Sequence, residues 1–263
     1  MQANSRVVDS VSPVPGSVGA PFPQLVGEDL LALLNRHHNV VDMQVPIGTK
    51  IRMSNGDEFC YMQMTGGAAA LGQLVAQMAD TAAAGTDTVS SSADLLSIET
   101  ITGLTAGAHY GDMVTVDDGT GEGQTRWITG STAIKLNLDR PLLTALAVGT
   151  SDITIVRPYR VLLLPLAAEG SQRIPSAVAI GAVTQNYYGW FQTGGICQHV
   201  RVTATTVAVN DLLTGDVSGG AAGTAKTMSG IISYHLIFGR SLGAAANLVA
   251  DTGTVPVSLG KLF

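Results

Sequence analysis

The chain has 263 residues, 46% hydrophobic and 13% charged, with 14 Lys and Arg against 20 Asp and Glu for a net charge of −6. That length supports one large domain or two small ones, each with a core of its own, while so few cations leave little from which to build a face for nucleic-acid phosphates. The longest apolar run, Val161–Ala168, is too short to cross a bilayer as a helix.

Residues 1–26 carry Pro13, Pro15, Pro21 and Pro23, which restrict the backbone at and before each proline and favour an extended arm. A solvated tail is the plain alternative, but Val11, Val14, Val18, Phe22 and Leu25 are more apolar than such a tail usually is. They fit an arm laid on a neighbouring subunit. The start lacks a basic segment followed by an apolar core, so the expectation is synthesis in a cytoplasm without export.

Leu30, Leu33, Leu34 and His37 repeat at helical spacing behind Glu28 and Asp29, which predicts a short helix over Glu28–His37. His37 and His38 are adjacent and point to different helix faces, so they do not chelate one ion unaided. From Lys50 the period changes to two, and Asn55-Gly56 between alternating segments predicts a hairpin. An alanine-rich stretch with Leu71, Leu74, Val75 and Met78 on one face predicts a second helix, Ala68–Thr81.

Beyond this the chain reads as strands and turns. Asp112–Asp118 and Thr125–Thr129 flank Gly119–Gly123, a segment that looks superficially like a phosphate loop. Its G-x-G-x-G spacing leads into a strand rather than a helix, which makes a hairpin turn the better reading. Asp112, Asp117, Asp118 and Glu122 lack the order of a calcium-binding loop, and the five histidines sit in no recognisable catalytic motif. Alternating residues predict further strands near Leu136, Ile153, Ser176–Ile180, Tyr188–Gln192, Gln198–Val202, Thr205–Val209, Ile231–Phe238 and Thr254–Leu259. Glu169–Arg173 reads as the joint between two units.

The expected fold is therefore mainly β, with antiparallel sandwich or barrel units, two short helices and an extended N-terminal arm. The expected division is arm 1–26, first β-rich unit 27–168 and second unit 169–263. No cofactor, metal or catalytic set is expected. Tyr188, Trp190 and Phe191 form the most distinctive local cluster. It reads as core filling or, in the alternative, as a stacking platform for a sugar or base. Cys60 and Cys197 read as buried free thiols, with pairing left open.

Several blocks together resemble a known group. They are Pro46–Arg52 with the Asn55-Gly56 turn, Tyr110–Val114 with Gly119–Gly123, Leu138–Leu142, Ile174–Val178, Tyr188–Thr193 and Phe238–Ser241. The order resembles structural proteins of tailed bacteriophages of the head-decoration or capsid-cement type, with Phe191 standing where Val is expected. The resemblance implies a non-enzymatic virion protein, made in the host cytoplasm, that binds the capsid exterior. Its implied partners are the major capsid protein and two further copies of itself in a homotrimer. A tail or head-fibre protein that binds host glycan through Tyr188 and Trp190 is the runner-up.

Overall fold

The computed structural model describes residues 8–12, 37–43, 45–53, 55–78, 81–82, 89–91, 95–100, 104–164, 175–202, 206–215, 224–227, 239–246 and 253–260. All regular structure among them is β. The chain opens with β1 (Val8–Ser12), β2 (Lys50–Met53), β3 (Glu58–Gly66) and β4 (Leu74–Gln77). It continues with β5 (Thr81–Ala82), β6 (Val89–Ser91), β7 (Ser97–Thr100), β8 (Met113–Asp118), β9 (Thr125–Ser131), β10 (Lys135–Leu138) and β11 (Asp152–Val156). Then come β12 (Arg160–Leu163), β13 (Pro175–Ala179) and β14 (Tyr188–Val202). The last are β15 (Thr206–Val207), β16 (Leu212–Gly215), β17 (Ala225–Thr227), β18 (Gly239–Ser241), β19 (Ala245–Ala246) and β20 (Gly253–Leu259).

Two compact units result, but not those expected. One takes Val8–Ser12 and the described residues of Phe22–Gln77 and Arg160–Phe263; the other takes those of Met78–Tyr159. The second unit is thus inserted between β4 and β12. Those two strands are antiparallel neighbours, with Leu163 opposite Val75, and β13 pairs with β4 on its other side. The stretch around 165–173 therefore joins two strands of one sheet, and the boundary at 168/169 is corrected to 77/78 and 159/160.

In the first unit the sheet closes on itself twice. Strands β3, β12, β4, β13 and β14 form one five-stranded ring, closed by β3 against β14. Strands β14, β17, β16, β18 and β20 form another, closed by β14 against β20. β14 serves both rings: its first half pairs with β3 and its second with β20. At the changeover Gly195 adopts a φ of 85°, a left-handed conformation that glycine takes without strain. Register irregularities at Gln192/Gly194 and Cys197/Val200 let the long strand bend from one ring to the next.

Register decides what each ring encloses. Alternation puts Cys60, Met62 and Met64 of β3, Val75 of β4, Val161 of β12, Ala177 and Ala179 of β13, and Phe191 of β14 on one face of the first ring. All eight are completely buried. Leu74, Ala76 and Val178, on the opposite face, join Val200, Val202, Leu213, Ala225, Val255 and Val257 in the core of the second ring. Both faces of β4 are therefore covered, which explains the failure of the helix expected at Ala68–Thr81. Three consecutive buried residues, Leu74-Val75-Ala76, belong to a strand enclosed on both sides, and Leu71, expected on the same helical stripe, is exposed.

The second unit is an open antiparallel sheet ordered β5-β11-β8-β9-β10-β7-β6. Val114 and Val116, Ile128, Leu136 and Leu138, and Ile153 and Ile155 alternate onto one buried side, closed by Leu104, Leu142 and Leu146. The half-buried strand around Leu136 and the hairpin at Asn55-Gly56 take the expected form, although Ile134 precedes its strand and is exposed. The helix expected at Glu28–His37 and the strand at Ile231–Phe238 lie outside the described residues, save His37. Within the arm, Val8–Ser12 pairs with this chain's own β2, Val11 opposite Ile51. Val14, Val18, Phe22 and Leu25 lie outside the described residues.

Candidate functional site

The aromatic cluster is built by the pairing of β3 with β14. Trp190 stands opposite Tyr61 and Tyr188 opposite Gln63, so the three rings share one face of the first ring of strands. The Tyr61 and Trp190 centroids lie 5.0 Å apart at 59°, and Tyr61 stacks on Tyr188 at 6.2 Å. Phe191 turns to the other side, into the interior. Trp190 and Phe191 are both 0% exposed. A fully buried indole offers no face to a sugar, so Trp190 acts as core and not as a platform. Burial, and secondarily Tyr188, raises the pKa of the Tyr61 phenol.

Beside this cluster the segment His38–Val40 replaces a strand that has ended. β13 pairs with β14 at Gln192 and Phe191 and goes no further, which would leave the next outward-facing amides of β14 without partners. Val40 exchanges two hydrogen bonds with Tyr188, at 3.1 and 2.8 Å. The Trp190 amide donates to His38 Nδ1 at 3.2 Å. Asn39, at a φ of 57°, accepts from the Thr184 amide at 2.7 Å. Two glycines make room for the imidazole: a Cβ on Gly181 would come 2.7 Å from His38 Nε2, and one on Gly189 would come 3.1 Å from Nδ1.

Because Nδ1 accepts, the His38 proton sits on Nε2, a buried atom without a hydrogen-bond partner among the described residues. Burial lowers the His38 pKa, and the nearby backbone of Ala182 and Gly181 only partly opposes it. The sequence gives no local sign of this arrangement. Its parts lie more than a hundred residues apart, and His38 drew notice only for its neighbour His37.

Among the described residues of the second unit the most exposed large apolar side chain is Leu143, at 85%. Its backbone is nevertheless held. The Leu143 amide donates to Gln124 Oε1 at 2.6 Å, and Gln124 Nε2 donates to the Thr144 carbonyl at 3.3 Å. The Leu142 amide donates to the Leu95 carbonyl at 2.9 Å, and Arg126 Nε to the Pro141 carbonyl at 2.9 Å. Buried Leu142 plugs the core while Leu95, Leu96 and Leu143 face outward. Leu142 and Leu143 are adjacent after Pro141, and nothing local in the sequence tells which of them is buried.

The remaining candidates resolve into structural parts. Gly119–Gly123 forms the turn between β8 and β9, its Gly123 amide donating to Val116 and its Glu122 amide to Gly119. Buried His109 meets Asp112 at 3.3 Å through Nδ1, while Ser131 Oγ donates to the Thr105 carbonyl and accepts from the His109 amide. That hydroxyl ties the turn, its proton committed to the Thr105 carbonyl. Cys60 and Cys197 are buried free thiols. Burial pushes the Cys60 pKa up to about 12 and raises that of Cys197. Among the described residues no three His, Cys, Asp or Glu side chains gather to hold a metal ion, and no helix is long and apolar enough to cross a membrane. No family model, curated protein or solved structure matches the chain.

Proposed function

We propose that this chain is an accessory capsid protein of a tailed bacteriophage, non-enzymatic, that binds the outside of the head as a homotrimer and stabilises the shell. The observation that carries this reading is the leucine turn. Leu143 is 85% exposed on a backbone tied at Leu142, Leu143 and Thr144. A fixed, exposed apolar side chain loses little entropy on binding and gains by burial. The resemblance in the blocks from Pro46 to Ser241 supports a phage head as the surface concerned, and the doubly closed first unit supports a mechanical role, since its shared strand couples two cores.

Addition of the purified protein to heads lacking it tests the reading. Cryo-electron microscopy is expected to place many copies at threefold or quasi-threefold positions, with raised heat resistance of the heads. Localisation to the tail alone, or no binding at all, overturns it.

A further inference from the structure

We propose that His38 is a proton-operated latch, which ties the segment preceding Val41 to the edge of β14 when neutral and releases it when protonated. The inference rests on the first unit alone and is independent of the phage reading. Among the described residues, three contacts tie the segment to the 181–184 turn and β14: Trp190 to His38, Thr184 to Asn39, and Val40 with Tyr188. Of the side chains making them, only the imidazole titrates in mild acid. Protonation places a second N–H on Nδ1, directly facing the Trp190 amide N–H. An acceptor becomes a donor, and the contact turns from attraction to repulsion. Gly181 and Gly189 flank the ring so closely that a Cβ on either would crowd it, and relief comes as the ring leaves the niche.

Among the described residues no charged group acts on His38, whose surroundings are burial and the backbone of Ala182 and Gly181. The turn Ile180–Thr184 carries no titratable side chain. β14 presents Tyr188, with Tyr187 before it, and Tyr61 of β3 stands behind Trp190; phenols as a class titrate far above mild acid. His37 and Asp42 are the titratable groups on the segment itself. The lowered pKa of His38 has the sign the latch requires: the released state binds the proton more tightly, so acid favours release.

Hydrogen exchange at the amides of Val40, Tyr188 and Trp190, corrected for intrinsic rates, tests the latch on the full chain. Protection is expected to fall about tenfold per pH unit over the window between the latched and released pKa values of one imidazole. His38→Asn keeps an acceptor near Nδ1 but does not titrate, and its protection is expected to stay flat, whereas His37→Asn is expected to keep the wild-type profile. Unchanged wild-type protection from about pH 7 to about pH 4.5, a range that spans imidazole titration, overturns the proposal, as does an identical loss in His38→Asn. Should that variant not fold, the His38 imidazole resonance of the wild type decides. A midpoint at or above that of a free imidazole overturns the latch, and one below it that coincides with loss of protection supports it.

Discussion

Tyr61 and Trp190 occupy directly opposed positions on β3 and β14, are both completely buried, and leave the Tyr61 hydroxyl and Trp190 Nε1 without hydrogen-bond partners among the described residues. Two polar atoms at the centre of the most aromatic part of the molecule are thus unsatisfied. A buried unpaired polar group costs about 1–3 kcal/mol. Tyr61→Phe removes one of them and keeps the ring, so it is expected to leave stability unchanged or raise it by about 1 kcal/mol. Tyr61→Ala removes the ring contact as well and is expected to cost about 3–5 kcal/mol, as large aromatic truncations do. Urea unfolding of the two variants checks both signs, and a Tyr61→Phe protein markedly less stable than wild type contradicts the assignment.

Asp57 joins the hairpin to the changeover point of β14. Its carboxylate accepts from Asn55 Nδ2 at 2.6 Å and from the Ile196 amide at 2.9 Å, and the residue is buried. Gly195 packs against it so closely that a Cβ there would lie 2.5 Å from the Asp57 Cα. Asp57→Ala leaves the Ile196 amide unpaired where β14 passes between rings, and is expected to cost about 2–3 kcal/mol. Asp57→Asn retains one acceptor and is expected to lose less. Thermal unfolding of both variants measures the difference, and equal losses would sink the argument from the Ile196 bond.

The two buried thiols predict how stability depends on alkali. The folded chain holds Cys60 protonated up to about 12, against an ordinary thiol value of 9.0. Across that window the folded state binds more protons than the unfolded state, so stability is intact below pH 9 and falls as pH rises. Cys60→Ser is not a clean probe, because it buries a hydroxyl. Cys60→Ala is expected to flatten the alkaline loss, with a cavity cost that does not depend on pH. In native protein at pH 8 a thiol reagent is expected to label neither cysteine, and in denaturant both. Prompt labelling of Cys60 in the native state contradicts its burial.

What the sequence disclosed was whatever depends on neighbours along the chain. Alternation around Leu136, Ile153 and Val255, and the Asn55-Gly56 turn, are local, and their strands and hairpin follow from period and turn chemistry. The helix expected at Ala68–Thr81 failed because Leu74-Val75-Ala76 is enclosed on both faces, where hydrophobic period carries no signal. The unit boundary failed for a similar reason: β4 and β12, separated by the whole second unit, pair side by side, and only that pairing reveals the insertion. Phe191 and Trp190 were legible as core candidates but not their opposite directions, which depend on register with β3. His38 was read through its neighbour His37, whereas its partner proved to be the amide of Trp190.

The leucine turn yields the most direct test of the proposed function. Leu143 is 85% exposed, so Leu143→Asp removes no packing in the isolated protein, and surface changes of this kind usually stay within about 0.5 kcal/mol. If the side chain docks on a shell, the same change sets a carboxylate against an apolar contact and is expected to abolish head binding at unchanged folding stability. Gln124→Ala acts differently. It leaves Leu143 in place but frees the backbone that Gln124 Oε1 holds at 2.6 Å, so binding is expected to weaken by about tenfold, or about 1.4 kcal/mol, through lost preorganisation. Leu96→Asp on the neighbouring surface is expected to fall between the two. Sedimentation of heads with each variant, beside an unfolding curve for each, separates docking from folding. Full binding by Leu143→Asp rules the turn out as the contact and leaves the capsid proposal without its carrying observation.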